Sequence, residues 1–462
     1  MKDSMSHPKI INIIAQIYQG DKTFINYGNV KDAIINITSG IRQGCTGSTS
    51  LFKLITFKII ERMEKEKGFS DELFKLIILF YADDGLLLAN SLRDAERNID
   101  VLINISRECG LEINLDKSNI LIFNQRNQPV DIKGIKVVNN LKYLGVTLNN
   151  GRDCFKIHKQ NMFKKAKRLA NQTYPVIAKS CNKILIGKTF WKSLALPSIL
   201  YGANIVELTK TDIEKLQTIE NSVYRQILNA PCYAQKSALR GEIGASSMKA
   251  RIMEGKIKLL QYTKSQGDES LLGRITMEMK SMKKCKWTVN MAEYLKETGI
   301  KYNELDILTK DEIKSKVQHY DTKEWKAEVR SKKSLEIYEQ YKTEIGGNDE
   351  DYDNTPASVT LYKARTNILP LNDRNRFRTE GNDTKCQICE SPFEDLEHFL
   401  IYCPQYTEIR NGSIELQQPY IENTNNIIGQ FLFCKSNFYS KKKVLQEMWK
   451  SRERKIKTLQ NV

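Results

Sequence analysis

Two adjacent aspartates set between short apolar runs constrain this 462-residue chain more than any other feature. Leu76–Ala82 and Leu86–Ala89 carry no charge, and Asp83-Asp84-Gly85 separates them. Apolar runs this short, broken by Asp-Gly, predict two strands of a hairpin buried on both faces. A turn needs one aspartate beside its glycine, because one short polar side chain satisfies the local backbone. The second carboxylate is surplus. Side by side on a buried hairpin, two carboxylates repel unless a cation lies between them. The nearest basic residues, Lys75 and Arg93, stand outside the turn. A hard divalent ion suits such a site: Mg²⁺ (or Mn²⁺) takes one or two carboxylates and completes its shell with water and substrate phosphates. Taken alone, the stretch also reads as a plain Asp-Asp-Gly turn.

The balance of charge points the same way. With 72 basic and 55 acidic side chains the chain carries +17, which calls for a polyanionic partner, nucleic acid first. Its length suggests about three domains. No uncharged apolar stretch approaches the ~18 residues of a membrane span, so no membrane partner is expected. Met1-Lys2-Asp3-Ser4-Met5 opens no apolar leader, so secretion is not expected. The 10 cysteines are scattered except for one tight pair, which suits a reducing compartment and a metal site rather than a disulfide framework.

Along the chain, residues 9–18 space their apolar positions as an amphipathic helix does. Residues 22–38 read as a strand pair turning at Gly28-Asn29. A helix is predicted from about Ser48 to Lys65, following a loop at Gln43-Gly44. After the hairpin, Ser91 caps a helix that ends at Gly110. A strand over 120–123 then completes a βαβ arrangement. Residues 156–192 hold ten lysines and arginines and no acid, which predicts either a backbone-tracking surface or a solvated helical face. Residues 252–341 are charged and helical, and 346–356 reads as an acidic linker. A second basic cluster includes Arg374, Arg376 and Arg378. It leads into Cys386, Cys389, His398 and Cys403, three thiolates and an imidazole that suit one structural Zn²⁺. A helix over 394–400 would present His398. The tail beyond Lys441 is basic and helical.

Four blocks resemble one family in order and spacing, and two later segments extend the resemblance. Tyr81-Ala82-Asp83-Asp84 resembles the active-site hairpin of reverse transcriptases. Gly40-Ile41-Arg42-Gln43-Gly44-Cys45, with Ser48 and Leu51-Phe52, resembles their nucleotide-pocket motif, although Gly47 and Thr49 replace the usual Leu and Pro. Gly110–Ser118 resembles the motif bearing a lysine, here Lys117. Leu141-Lys142-Tyr143-Leu144-Gly145 resembles the primer-grip hairpin. Leu196–Gly202 and the helix over 213–228 resemble the thumb, and the Cys386–Cys403 segment resembles the C-terminal zinc-binding segment of non-LTR (LINE-type) retrotransposon enzymes.

The resemblance implies an α+β partial polymerase palm without fingers, then a mostly α-helical thumb and connection and a small CCHC zinc segment. Its boundaries would be 1–148 for the palm, 149–240 for the thumb, 241–345 for the connection, 346–356 for the linker and 357–462 for the zinc region and tail. It implies RNA-directed DNA polymerisation with two Mg²⁺ or Mn²⁺ ions: Asp83 and Asp84 as catalytic metal ligands, and Arg42, Gln43, Gly44, Lys117, Tyr143, Leu144 and Gly145 on nucleotide and primer. The implied partners are an RNA template, a DNA primer or target and deoxynucleotide triphosphates, in the nucleus and cytoplasm. Asp3-Ser4-Met5-Ser6-His7 resembles the end of the motif carrying the family's other palm aspartate, but the helix that follows it in the family is absent. The chain is therefore expected to be N-terminally truncated, with a missing front half as a further partner. The alternative is a catalytically inactive nucleic-acid-binding remnant.

Overall fold

The structure, a computed structural model, describes residues 8–20, 22–27, 30–38, 40–42, 44–66, 68–70, 75–125, 127–179, 182–282, 285–346, 351–352, 355–373, 384–417 and 424–460. Gln43, the 28–29 turn, Asp3 with its motif, and Arg374, Arg376 and Arg378 lie outside the described residues. The chain divides into two compact units, residues 1–141 with 268–278, and residues 142–267 with 279–462.

The first unit opens with α1 (Pro8–Tyr18), the antiparallel pair β1 (Lys22–Tyr27) and β2 (Val30–Asn36), and α2 (Thr46–Met63). A two-residue pair, β3 (Phe69–Ser70) and β4 (Lys75–Leu76), precedes the central hairpin of β5 (Ile78–Tyr81) and β6 (Asp84–Leu87). Then come α3 (Leu92–Glu108), β7 (Asn119–Ile120), β8 (Asp131–Ile132) and β9 (Ile135–Val137). The Ser91 hydroxyl accepts the Asp94 N–H at 3.1 Å and starts α3, and Gly110 at φ +77° ends it. Ile105 of α3 packs with Ile59, Met63, Ile77 and Ile78, whereas Ile99 packs with Ile132 and Ile135. One helix thus closes two small cores.

The palm expected as one βαβ sheet is instead built as small separate sheets. β7 pairs parallel with β9, and β9 pairs antiparallel with β8, so β7 does not extend the hairpin. Its ladder is taken: the Val138 N–H donates to the Ile120 carbonyl, continuing the β9 pairing. The strand expected over 120–123 stops at Ile120.

The second unit holds the second half of β10 (Asn140–Tyr143), then β11 (Val146–Asn149), α4 (Lys156–Ala178), α5 (Lys183–Phe190), α6 (Leu196–Ile199), α7 (Lys210–Leu228), α8 (Lys236–Ile243) and α9 (Met248–Ser265). After α10 (Leu271–Ser281) come α11 (Lys286–Thr298), α12 (Lys310–Arg330), α13 (Glu336–Tyr341), α14 (Pro356–Arg365), α15 (Thr407–Arg410), α16 (Thr424–Phe433) and α17 (Phe438–Gln460). A capping box between Thr209 and Asp212 starts α7, and Asn229 at φ +48° ends it before Pro231. Met162, Ala166 and Ala170 of α4 meet Leu216, Val223 and Ile227 of α7 in the largest core.

The stretch read as an acidic linker includes two buried residues. Asp351 accepts from Arg365 Nη1 at 2.8 Å, and the Tyr352 hydroxyl donates to Glu242. A buried guanidinium needs carboxylate partners, and here the chain between α13 and α14 supplies one.

Candidate active site and metal centre

The hairpin tip is set by pairing. Tyr81 faces Asp84 and Phe80 faces Gly85, which leaves Ala82 and Asp83 as the two turn residues. The turn therefore falls two residues earlier than Asp-Gly would put it. Ala82 takes the left-handed conformation at φ +51°. Gly85 serves the strand instead: a Cβ there would come within 3.0 Å of the Phe80 ring. Ile77 and Ile78 are buried, yet Tyr81, Asp83 and Asp84 are exposed, so the hairpin is buried at its base and open at its tip. Among the described residues no cation pairs with either carboxylate.

The loop before α2 is tied to α1. Arg42 Nη2 donates to the Ile17 carbonyl at 2.7 Å, and its guanidinium stands 5.6 Å from the Tyr18 ring centre. The buried Ser48 hydroxyl donates to the Arg42 carbonyl at 2.7 Å. Gly44 turns the loop at φ +80°. Cys45 precedes the first turn of α2, where the Gly47 N–H draws its thiol below the usual range. Lys117 is exposed on a turn whose N–H donates to Asn114 Oδ1 at 3.1 Å. These residues share the first unit. Tyr143, Leu144 and Gly145 belong to the second, where Leu144 and Gly145 form the tip between β10 and β11.

On α4, Lys156, Lys164, Lys167 and Arg168 are exposed, away from the buried Met162, Ala166 and Ala170, and Tyr174 is 61% exposed. Not every basic residue of 156–192 is available to a ligand. Lys159 is paired with Asp153 and Asp212, and Lys165 donates to the Ser198 carbonyl.

Cys386, Cys389, His398 and Cys403 bring one donor atom each to within 4.8 Å of one another. A tetrahedral zinc with bonds of about 2.0–2.3 Å separates its donors by roughly 3.3–3.8 Å, so the cluster needs little contraction. Cys389 Sγ and His398 Nε2 are 3.3 Å apart. The first two cysteines sit on a turn closed by the Glu390 N–H to the Cys386 carbonyl, with Glu390 at φ +62°. His398 opens a wide helical turn, His398–Tyr402, whose first N–H donates to Asp395 at 2.7 Å. Burial pushes the Cys386 thiol up and the Cys403 thiol up to about 12, and it pushes His398 down. Neutral imidazole is the ligating form, and a divalent cation at the centre reverses the thiol shifts. The donor set fits a metal ion.

A surrounding shell escaped the sequence reading. Glu394 stands 3.9 Å from Cys386 Sγ and accepts the Asn372 N–H and two bonds from Arg452 of α17. Arg410 donates to the Cys403 carbonyl. Arg452 belongs to the tail read as basic and helical, and it is buried, as are Lys441 and Lys442. The missed signal was spacing: Lys441, Leu445, Met448 and Arg452 fall on one helical stripe.

Residues 2–148 match the family described as reverse transcriptase (RNA-dependent DNA polymerase). The hairpin, the loop before α2 and the Lys117 turn thus fall in the segment that matches this family. Over 137 residues the chain is also 28% identical to the retrovirus-related Pol polyprotein from type-1 retrotransposable element R2 of Bradysia coprophila. The resemblance is therefore to the non-LTR retrotransposon kind. That match covers 30% of this chain and 15% of the relative's length. Among the described residues no helix is long and apolar enough to cross a membrane.

Proposed function

We propose that this chain is the palm-to-zinc-segment portion of a non-LTR retrotransposon reverse transcriptase and copies RNA into DNA. The observation that carries this reading is the Asp83-Asp84 pair at an exposed tight turn, inside a segment matching the reverse-transcriptase family. Two adjacent carboxylates with no cationic partner among the described residues suit divalent metal, and Asp83 and Asp84 would hold Mg²⁺ or Mn²⁺ there. Such ions supply activation of the primer 3′-hydroxyl and neutralisation of the triphosphate. Arg42 and Gly44, with Gln43, would line the nucleotide pocket. Lys117 is free to donate a proton to departing pyrophosphate, and the Tyr143-Leu144-Gly145 tip would seat the primer end. Cys386, Cys389, His398 and Cys403 would hold one structural Zn²⁺, since three thiolates and an imidazole close the shell and leave no position for substrate. The α4 face would follow the template–primer backbone. The partners are then an RNA template, a DNA primer or target and deoxynucleotide triphosphates.

Among the described residues no third His, Cys, Asp or Glu stands with Asp83 and Asp84 as a metal-holding group. Asp3 lies outside the described residues, and the second reading is a nucleic-acid-binding chain that does not polymerise. Primer extension on an RNA template with Mg²⁺ and the four deoxynucleotides separates the two. Extension by the unmodified chain but not by Asp83→Asn, with RNA binding retained by both, supports the polymerase. Salt-sensitive RNA binding without extension supports the second reading. Parallel loss of binding and extension in Asp83→Asn would overturn the metal-ligand assignment.

A further inference from the structure

The tip between β10 and β11 is strained. Leu144 and Gly145 lie at φ +45° and +81°. Two positive φ values in succession suit a two-residue hairpin turn, and glycine accepts its share freely. Leucine does not: left-handed backbone brings its Cβ against the following carbonyl oxygen. Something outside the turn must hold it, and Tyr201 is placed to do so. Its hydroxyl donates to the Leu144 carbonyl at 2.8 Å across 57 residues of chain. Its ring lies where a Cβ on residue 145 would go, the nearest ring carbon 2.7 Å from that point. The turn therefore admits only glycine at 145 on two counts, φ and space.

A second pair of contacts fixes Tyr201 relative to β11. His158 of α4 accepts the Thr147 N–H on Nδ1 at 3.3 Å. The next residue after Tyr201, Gly202, lies at φ +79°, and a Cβ there would stand 3.1 Å from Val146 and 3.3 Å from His158 Nε2. The bend at 201–202 is thus pressed onto the hairpin at both of its residues. Tyr143, Leu144, Val146, Tyr201 and Ile205 also line one open, mainly apolar cleft of about 750 Å³.

We infer that Tyr201 is a positioning residue for the primer end. Its hydroxyl fixes the Leu144 carbonyl and its ring caps Gly145, so the turn is ordered before nucleic acid arrives. The inference rests on the polymerase reading of the Tyr143-Leu144-Gly145 tip. A preorganised turn spends no ordering free energy on binding, and misplacing a reacting group by ~1 Å costs about 10²-fold in rate. Tyr201→Phe keeps the ring and removes only the bond to Leu144. We expect it to lower kcat for extension by about 10–100-fold while KM for primer–template and the melting temperature change little.

Three readouts on the full chain test this: hydrogen exchange of residues 143–147, extension kinetics, and crosslinking from a primer carrying a photoreactive 3′-terminal nucleotide. Faster exchange in Tyr201→Phe, with reduced kcat and reduced crosslinking to 143–145, supports the inference. Unchanged exchange overturns it, because the turn is then held without Tyr201. Faster exchange with unchanged kcat overturns it too, leaving Tyr201 a structural contact. If the unmodified chain does not extend, the polymerase reading fails, and the crosslink decides alone. Crosslinking to 143–145 that Tyr201→Phe loses still supports positioning, and crosslinking elsewhere overturns it.

Discussion

Arg452 grips Glu394 along one edge of its guanidinium, Nε to Oε1 at 2.7 Å and Nη2 to Oε2 at 2.6 Å, with both side chains at most 6% exposed. The same carboxylate stands beside Cys386 and accepts the Asn372 N–H. A charge pair, and not only the edge-to-face contact of Phe399 with Trp449 at 5.9 Å, joins α17 to the cysteine-bearing turn. Paired buried charges of this kind contribute little net stability, but losing one partner strands the other.

Arg452→Met should therefore cost about 3–5 kcal/mol in urea unfolding, because Glu394 is left buried beside the cysteines without its cation. The double variant Arg452→Met, Glu394→Gln should recover part of that loss. A single-variant loss no larger than that of the exposed control Arg454→Met would sink this account.

The metal centre should carry about one zinc per chain, and Cys386→Ser should lose it, since a structural site is assembled by its full ligand set. Elemental analysis of freshly purified protein checks both. Protein without metal that keeps the wild-type melting temperature in chelator would remove the ion from the fold.

Replacing Lys164, Lys167 and Arg168 by glutamine should weaken RNA binding and flatten its dependence on log salt by roughly 2 units, at about 0.7–0.9 per lost phosphate contact. The control replaces Lys310, Lys314 and Lys323, which are exposed on α12. An equal change in the control would mean that overall charge, rather than the α4 face, sets binding.

Lys256 is buried, donates to the Val206 carbonyl at 3.0 Å, and is pushed down to about 8 by burial. An unfolded lysine keeps its proton to higher pH. Between about pH 8 and 10.5 the unfolded chain thus binds more protons at this site than the folded one, and stability rises with pH. Below that window both states are protonated and the full burial cost applies. Unfolding free energy of the unmodified chain relative to Lys256→Met should climb from pH 8 to 10. A flat or falling difference would refute the shift.

Local signals in the sequence were legible, and pairings between distant segments were not. Ser91 and Gly110 bracketed α3 because caps act within one turn. The cluster of Cys386, Cys389, His398 and Cys403 was legible because the three steps between its members are short. The turn at Ala82-Asp83 was misplaced because Asp-Gly chemistry favoured a later bend, while the Phe80 ring claims Gly85 for the strand. The parallel pairing of β7 with β9 joins two-residue and three-residue strands, too short to leave a period. Arg452 looked like its basic neighbours because charge alone does not tell a solvated arginine from one facing a buried glutamate.

Helix α3 has a mechanical consequence. Ile105, with Val101 and Leu102, meets the core under the hairpin, and Ile99 and Ile103 meet the core that includes Leu115 and Ile120, next to Lys117. The helix works as an axle between two small wheels: the carboxylates ride on one and the lysine on the other. Their separation is then kept by a 17-residue rod rather than by the intervening loops, and a slip of that rod by one turn would move both ends at once.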